Sequence, residues 1–357
     1  MSDKTRIEWT DATWNPVTGC SKVSQGCKHC YAEREWPRIS APRPQPNIYT
    51  GRAFTEVQCH PERLLQPWSW VKPRRIFVNS MSDLFHEDVP FEFIAQVFWI
   101  MGHTTRHTYQ VLTKRPHRML EFFKWVDEYD GTFPGDRIGE HAAEVKWEPA
   151  TKGRGGYDNC GPSWPYSNVW LGVSVEDQAT AEERIPLLLQ IPAAVSWISA
   201  EPLLGPVDLV NLVRVEPGIP SEHHYSALEC DVDPLDDGEW NGRCISWVVV
   251  GGESGPKARP MHPDWVRSLR DQCAAADVPF FFKQWGEWAP SIYSETPGIE
   301  SAGGNTEPSV AWPDLTIAHG SAAEHGGKGI MLVPYGKKDA GDLLDGVQHH
   351  EFPEVPA

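Results

Sequence analysis

Three cysteines lie close together near the start of the chain, in the stretch GCSKVSQGCKHCYAE at residues 19–33. Cys20, Cys27 and Cys30 could hold a zinc ion, hold an iron–sulfur cluster or pack as small buried side chains. A structural zinc site takes four protein ligands, usually two CxxC-type pairs or one such pair with distant histidines. The sequence has one CxxC pair, Cys27 and Cys30, and no second. A [4Fe–4S] cluster fits better, because thiolates hold cluster irons and three of them leave one iron open for chemistry.

The composition is that of a globular protein that is large enough to be an enzyme. The chain has 357 residues, of which 40% are hydrophobic and 23% are charged. The N-terminal stretch MSDKTRIEWT lacks the apolar core of a signal peptide, and no run approaches the roughly 18 apolar residues of a membrane helix. We therefore expect a cytoplasmic protein without a membrane partner. Thiols stay reduced there, so the eight cysteines predict metal ligands, catalytic groups or small buried side chains rather than disulfides.

The net charge of −17 is unevenly distributed along the chain. Residues 211–245 contain 8 acids and 2 bases, and residues 286–357 contain 11 acids and 3 bases, so these segments hold −6 and −8 of the total. The remainder is nearly neutral and includes the basic runs KPRR at 72–75 and TKRPHR at 113–118. Nucleic acid binding relies on clustered basic side chains. The charge therefore neither excludes nor shows a nucleic acid partner.

The elements that must position these cysteines alternate between strands and helices. The strand-like runs are nearly continuous and apolar, as in strands buried on both faces of a parallel sheet. They lie within residues 74–83, 108–116, 168–177, 194–202, 246–255 and 278–287. Helical spacing of apolar residues occurs at 91–103, 179–189 and 263–276. The pattern predicts an α/β fold, a partial (β/α) barrel of about six to seven parallel strands.

Polar residues follow each predicted strand. In a β/α barrel the carboxyl ends of the strands meet at one mouth, where substrates bind. Any single one of these residues is also explained as a helix cap or a surface residue, but the repetition over six strands favours a site. The side chains expected at the mouth are Asn79, Ser80, Asp83, Lys114, Ser174, Glu176, Glu201, Glu253 and Lys283.

Two segments interrupt the alternation, and a third follows it. Residues 127–167 are rich in Gly and Pro and residues 211–245 are acidic, so both indicate insertions in loops that should be short. Residues 286–357 combine linker composition with a compact tail. We therefore predict a barrel over residues 1–285 with two inserted loops, followed by a C-terminal extension over 286–357.

Two resemblances sharpen this interpretation. CKHC at residues 27–30 resembles the CxΦC end of the cluster loop in the radical S-adenosylmethionine (SAM) superfamily, although six residues rather than three separate Cys20 from Cys27. The blocks IEWTDATWNPVTGC, FVNSMSDLFH, VLTKRP, WLGVSVE, WISAEPLLGP, VVVGGESG, FFKQWGEW and GKKDAGDLLDG resemble a phage and prophage family with a three-cysteine motif, largely uncharacterised and treated as radical-SAM-like. This resemblance implies a [4Fe–4S] cluster on Cys20, Cys27 and Cys30, with SAM on the open iron. If a phage encodes the chain, its compartment is the host cytoplasm.

The implied reaction is reductive cleavage of SAM to a 5′-deoxyadenosyl radical that abstracts hydrogen from a substrate, which requires an electron donor as partner. We predict that cofactor binding involves Asn79, Ser80, Ser174, Ser199, Glu201 and Glu253. We predict that substrate binding involves Asp83, Lys114, Arg115 and Lys283. The first substrate expectation is a nucleobase in phage DNA or a nucleotide precursor. Candidates for stacking on adenine or on an extruded base are Trp9, Trp14, Trp285 and Trp288, although most buried Trp belong to a core.

Two other functions remain open at this point. One is a non-catalytic module, stabilised by zinc, that binds nucleic acid or a phage protein. The other is a metal-dependent hydrolase that uses strand-end Glu with His86 or His262, although the sequence lacks HExxH spacing.

Overall fold

The fold is built on a seven-stranded parallel sheet that curls into a half-barrel. The computed structural model describes residues 5, 7–128, 138, 164–214, 223–230, 243–291, 309–311, 314, 316–319 and 329–354. The strands are β1 (Ala12–Thr13), β2 (Arg75–Val78), β3 (Thr108–Thr113), β4 (Val169–Ser174), β5 (Val195–Ala200), β6 (Trp247–Gly251) and β7 (Phe280–Gln284). They lie side by side in chain order, and every neighbouring pair is parallel. The predicted fold class is confirmed, and β1 is the strand that the six apolar runs did not include.

Helices lie between most successive strands along the chain. They are α1 (Tyr31–Ser40), α2 (Phe91–His103), α3 (Pro116–Asp127), α4 (Gln178–Leu189) and α5 (Pro263–Ala275), with short helices at Gln66–Ser69 and Lys337–Ala340. Pro116 and Pro263 occupy the first turn of their helices, where a missing N–H costs nothing. Asp177 caps α4 in a reciprocal capping box with Thr180. The three predicted helices are confirmed to within one residue at each end.

The concave face of the sheet is aromatic. Side chains alternate between the two faces of a strand, and the positions that point inward are filled by large rings. Trp9 packs edge-on against Phe77, Trp197 and Trp247, with ring centroids 4.9, 5.3 and 6.2 Å apart. Gly172 leaves room for the Trp197 indole, since a Cβ there would lie 2.5 Å from it. The interior of the half-barrel is therefore a packed layer beneath the mouth.

The segments outside the regular alternation have structure of their own. Most of the predicted 127–167 insertion lies outside the described residues. In the acidic segment, Leu212–Arg214 pairs with His223–Tyr225 as two antiparallel strands. Cys230 and Cys244 form a disulfide there, with Cα atoms 4.9 Å apart. The preference for unpaired cysteines over disulfides was wrong for these two, because the fold of this segment brings together thiols that are 14 residues apart in the sequence.

The C-terminal extension forms a small antiparallel sheet and then returns to the half-barrel. The small sheet contains Trp288–Pro290, Ile330–Pro334, Ser309–Ala311 and Ile317–His319, in that spatial order. The last described residues run antiparallel to β7, where the Phe282 amide donates to the His349 carbonyl over 2.8 Å. Phe352 packs on Trp247, Phe281 and the Arg75 guanidinium, at 5.3, 5.4 and 4.1 Å. Within the part of the chain that the structure describes, every helix is too short or too polar to cross a membrane.

Candidate functional site

A cavity of about 460 Å³ opens at the carboxyl ends of the strands. Its volume lies within the range of roughly 300–1,000 Å³ typical of small-molecule sites. Every side chain predicted to bind the cluster, SAM or the substrate lines it, whereas Glu176, which was also expected at the mouth, does not. The predicted side chains that line it are Cys20, Cys27, Cys30, Asn79, Ser80, Asp83, Lys114, Arg115, Ser174, Ser199, Glu201, Glu253 and Lys283. The structure therefore brings together, in one place, residues from positions 20 to 283 of the chain.

Strand register explains why these side chains converge. Ser174 and Ser199 are paired neighbours at the ends of β4 and β5. Residues two apart in a strand point to the same face. Asn79 lies two residues after the inward-facing Phe77, and Lys283 lies two residues after the inward-facing Phe281, so both side chains point inward. Parallel strands end at the same edge, and their last inward positions therefore form one ring around the mouth.

The cysteine loop enters the mouth through a tight backbone contact. Gly19 has φ +88° and donates its amide to the Met81 carbonyl over 3.1 Å. A Cβ at this position would lie 2.3 Å from the Glu56 carbonyl oxygen, so glycine is required for both the conformation and the space. The loop then passes through a 3₁₀ turn at Gln25–Cys27, and Cys30 occupies the position just before the first residue of α1.

Arg115 anchors the first cysteine of the loop. Its buried guanidinium donates to the Cys20 sulfur over 3.7 Å and to the Ser21 carbonyl and hydroxyl over 3.1 and 2.8 Å. It also pairs with Asp83 at 3.5 Å and with Glu87 at 3.0 Å. A positive charge beside Cys20 favours a thiolate or a metal-bound sulfur at this position.

Glu176 anchors the middle of the loop from the end of β4. Its side chain is 1% exposed and accepts hydrogen bonds from Ser24 over 3.0 Å, from Arg184 over 3.2 Å and from Lys114. Gly26 lies against the same carboxylate, because a Cβ there would be 2.4 Å from Glu176 Oε1. We call Glu176 with Lys114 and Arg184 the Glu176 hub.

Arg259 anchors the loop on its third side. It donates to the Gln25 carbonyl over 3.0 Å and to both carboxylate oxygens of Glu253, over 2.6 and 2.9 Å. Burial by itself raises the pKa of Glu253, but the hydrogen bonds from Arg259 outweigh it and hold that pKa below its ordinary value. The cysteine loop is thus tied to β3, β4 and β6 by three separate ion-pair systems.

Helix α1 extends this attachment across the mouth. The Tyr31 hydroxyl donates to the Ser80 carbonyl, after β2, and Arg34 donates to the Ser254 carbonyl, after β6, over 2.8 Å. The helix therefore bridges loops from opposite sides of the half-barrel. This places Cys30, at its N-terminus, above the cavity.

Two thiols of the loop, Cys20 and Cys30, lie where burial disfavours the charged thiolate. Burial raises the pKa of Cys20 to about 12, with Asp83 adding to it and Arg115 opposing it. Burial also raises the pKa of Cys30, and the amides of Glu33 and Ala32 at the helix N-terminus oppose that change. Among the described residues, no three His, Cys, Asp or Glu side chains form a ready-made metal site. Metal binding and the ordering of its ligands are coupled. The three thiols of the loop line the cavity together with His29 of the same loop, and thiolates are the ligands that hold cluster irons.

The strand-end acids differ in how completely protein donors occupy them. Asp83 accepts from Thr113 and Phe85 at one oxygen and from Lys114 and Arg115 at the other, so it ties β2 to β3. Both carboxylate oxygens of Asp83 are therefore occupied by protein donors, and this does not support the substrate-binding role that was predicted for Asp83.

Glu201 and Glu253 present a clear contrast. The Glu253 side chain is 5% exposed and held at both oxygens by Arg259. Glu201 is 22% exposed and pairs with Lys283 at one oxygen, over 2.5 Å. Glu201 is therefore the acid better placed to meet a ligand in the cavity.

Asn79 and Trp9 carry polar atoms without partners. Asn79 is 4% exposed, and neither its amide nitrogen nor its amide oxygen has a hydrogen-bond partner among the described residues. The indole nitrogen of Trp9, which is 2% exposed, is also unpartnered. Both residues line the cavity. The other stacking candidates, Trp14, Trp285 and Trp288, are not among the lining residues. Their indoles donate to the carbonyls of Arg63, Leu343 and Ala258.

Several residues that shape the site were missed in the sequence. They are Ser21, Ser24, Glu87, Arg184 and Arg259. Arg184 left a signal, because it falls on the apolar side of α4 between Ala181, Ile185 and Leu188, and a charge on a buried face requires a buried partner. The others show no sequence signal, because their partners are distant in the chain.

The two histidines proposed for a hydrolase do not face the cavity. Asp88 donates its amide to His86 Nδ1 over 3.1 Å, so Nε2 carries the proton and donates to Ser21 over 2.8 Å. His262 caps α5, where its Nδ1 accepts from the Asp264 amide over 3.0 Å. Neither residue is among the cavity's lining residues.

Comparison with known protein families identifies a family over nearly the whole chain. A family model described as protein of unknown function (DUF5131) matches residues 4–353. No curated protein and no solved structure is significantly similar to the chain.

Proposed function

The chain belongs to the DUF5131 family of proteins of unknown function, and we propose from its cavity that it is a radical SAM-type enzyme. The observation that carries the proposal is the convergence of three thiols from one loop with the strand-end side chains of a parallel half-barrel. Three thiolates leave an iron of a [4Fe–4S] cluster open to a ligand. A structural zinc site would instead need a fourth ligand.

When bound, the cluster and SAM would supply reductive cleavage of the SAM sulfonium and hydrogen abstraction from a substrate. The protein's own contribution is binding, orientation and exclusion of water. Cys20, Cys27 and Cys30 hold the cluster. The three ion-pair systems hold the loop, so that the thiols stay at one wall of the cavity while α1 covers the mouth. An external donor supplies the electron.

Glu201 is the residue that we assign to the ammonium of SAM. It lies on the cavity wall, it is more exposed than Glu253, and one of its oxygens bonds Lys283. Ser174 and Ser199 offer hydroxyls beside it, and Lys114 and Lys283 offer positive charge for a carboxylate. Charges aimed into a cavity that excludes water act more strongly than they do in bulk water.

The first test is the metal content of protein purified and reconstituted without oxygen. We expect about four irons and four sulfides per chain, with absorbance near 400 nm, as for thiolate-bound clusters. Alanine at Cys20, Cys27 or Cys30 should abolish the cluster. Cys59→Ala is the matched control, because Cys59 is a free thiol of the same region that does not line the cavity. Stoichiometric zinc without iron would refute the proposal and favour the zinc-stabilised module.

The second test is SAM cleavage under strong reduction, followed as 5′-deoxyadenosine by chromatography. Glu201→Gln should weaken SAM binding by about 1.5–3 kcal/mol, the range for a hydrogen bond to a charged group, and should leave iron content unchanged. Glu253→Gln should instead disturb the cysteine loop through Arg259 and Gln25, and therefore lower iron content. A protein that assembles its cluster but neither binds nor cleaves SAM would rule out the enzyme.

A further inference from the structure

The inner wall of the mouth cavity contains a polar group that the fold leaves unsatisfied. Asn79 stands directly after β2, is 4% exposed, and has both its amide N and its amide O without partners among the described residues. A buried amide in this state costs free energy that a partner would recover. Because Asn79 lines the cavity, a ligand that enters the cavity can be that partner.

The surroundings of Asn79 define the shape of that ligand. Trp9, Phe77 and Leu112 form an apolar part of the same wall. The Trp9 ring is fixed by edge-on contacts to Phe77 and Trp197, and its unpartnered N–H adds a second donor. Trp170 and Trp197 also have unpartnered indole nitrogens, but they lie deeper in the aromatic layer and do not line the cavity. The amide of Asn79 offers a donor and an acceptor beside this apolar surface. Such a wall suits a ligand that has a flat ring with hydrogen-bonding groups along one edge.

We propose that this wall is a nucleobase site in which Asn79 reads the hydrogen-bonding edge of the base. A side-chain amide presents one donor beside one acceptor, and it can bond bidentately to a base that shows the complementary pair, as Asn does with adenine. Phe77 and Leu112 cover a face of the base, since stacking on a ring is available to every base, and Trp9 meets its edge. The indole N–H of Trp9 can only donate. It therefore favours a base whose hydrogen-bonding edge carries an acceptor on the side that faces Trp9.

The base can belong to the adenine of SAM or to a second molecule, the substrate. This inference deepens the proposed function, because the identification of the second molecule as a substrate rests on it. The base site itself rests on Asn79 and Trp9 alone, neither of which contributes a ligand to the cluster.

The experiment measures binding of adenosine, guanosine, cytidine and thymidine to the full chain by calorimetry, without reductant. The nucleoside that binds most tightly is then compared with its analogue lacking the exocyclic amino or oxo group. We expect Asn79→Leu to weaken nucleoside binding by about 5- to 150-fold, the discrimination of a bidentate amide–base contact. The preference for the nucleoside over its analogue should disappear in the same variant.

Two measurements separate a binding effect from a folding effect. Asn79→Leu removes two unsatisfied polar atoms, so its melting temperature should equal or exceed that of the wild type. Asn168→Leu is the matched control, because the Asn168 amide donates to the carbonyls of Met101 and His107 over 2.9 Å and lies outside the cavity. That control should melt earlier and bind nucleosides as the wild type does.

Saturating SAM identifies the source of the base. Displacement of the nucleoside assigns the wall to the adenine of SAM, whereas retention assigns it to a second molecule, and both results support a base site. Equal affinity of wild type and Asn79→Leu for every nucleoside and for SAM would overturn the inference. If that result came with a cluster and 5′-deoxyadenosine, the proposed function would stand. If nucleoside binding depends on Asn79 but the protein assembles no cluster, the base site stands and only the proposed function is refuted.

Discussion

The Glu176 hub provides the most direct test of how the sheet holds the cysteine loop. In Glu176→Gln the side chain keeps its shape and loses its charge. The Arg184 and Lys114 side chains, which are 3% and 20% exposed, then lose their common counter-charge in the interior. Breaking a buried ion pair at one partner costs about 3–5 kcal/mol, because an uncompensated charge remains. We expect a loss of that size in the free energy of unfolding.

The assay is urea unfolding followed by tryptophan fluorescence, for which the chain has 17 reporters. Glu183→Gln is the matched control, since Glu183 is exposed on α4, the helix that carries Arg184, and a surface change of this kind stays within about 0.5 kcal/mol. Ser24→Ala removes the loop's own bond to the hub, so it should lower iron retention after reconstitution and cost only about 0.5–1.5 kcal/mol of stability. A loss below about 1 kcal/mol in Glu176→Gln, with unchanged iron retention, would refute this account of the hub.

Three further changes test other parts of the structure. Glu253→Gln should be less stable than wild type by about 1.5–3 kcal/mol at neutral pH. Because the folded-state pKa of Glu253 is lowered, this difference is fully present above the ordinary value of 4.5, and pH-dependent melting should show its loss as pH falls below that value. Gly26→Ala should cost about 1–3 kcal/mol and lower iron content, because its Cβ would overlap the Glu176 carboxylate, whereas wild-type iron content would contradict the packing. Phe352→Ala should lower the melting temperature by removing contacts with Trp247, Phe281 and Arg75, and an unchanged value would show that the C-terminal segment does not stabilise the half-barrel.

The sequence alone predicted six of the seven strands of the sheet and the edge at which the cavity lies. Apolar runs such as those of β4 and β5 are buried along their whole length, which is the pattern of strands covered on both faces. Once these runs are parallel strands, their following residues must meet at one edge, so Asn79, Glu201 and Lys283 could be placed together without a structure. Backbone geometry sets this pattern over a few neighbouring residues, and it is therefore visible in a single sequence.

Only the tertiary structure decided which of these side chains pair with each other and which remain available to a ligand. Glu253 is held by Arg259 while Glu201 retains greater exposure, and the sequence treats the two acids alike. Cys230 pairs with Cys244, whereas the thiol of Cys20 faces the cavity beside Arg115. Such pairings depend on distances of a few ångströms between segments that are far apart in the chain, set by how each loop closes over the sheet. Local periodicity carries no information about those distances, and the unpartnered amide of Asn79 emerges only when all of them are known.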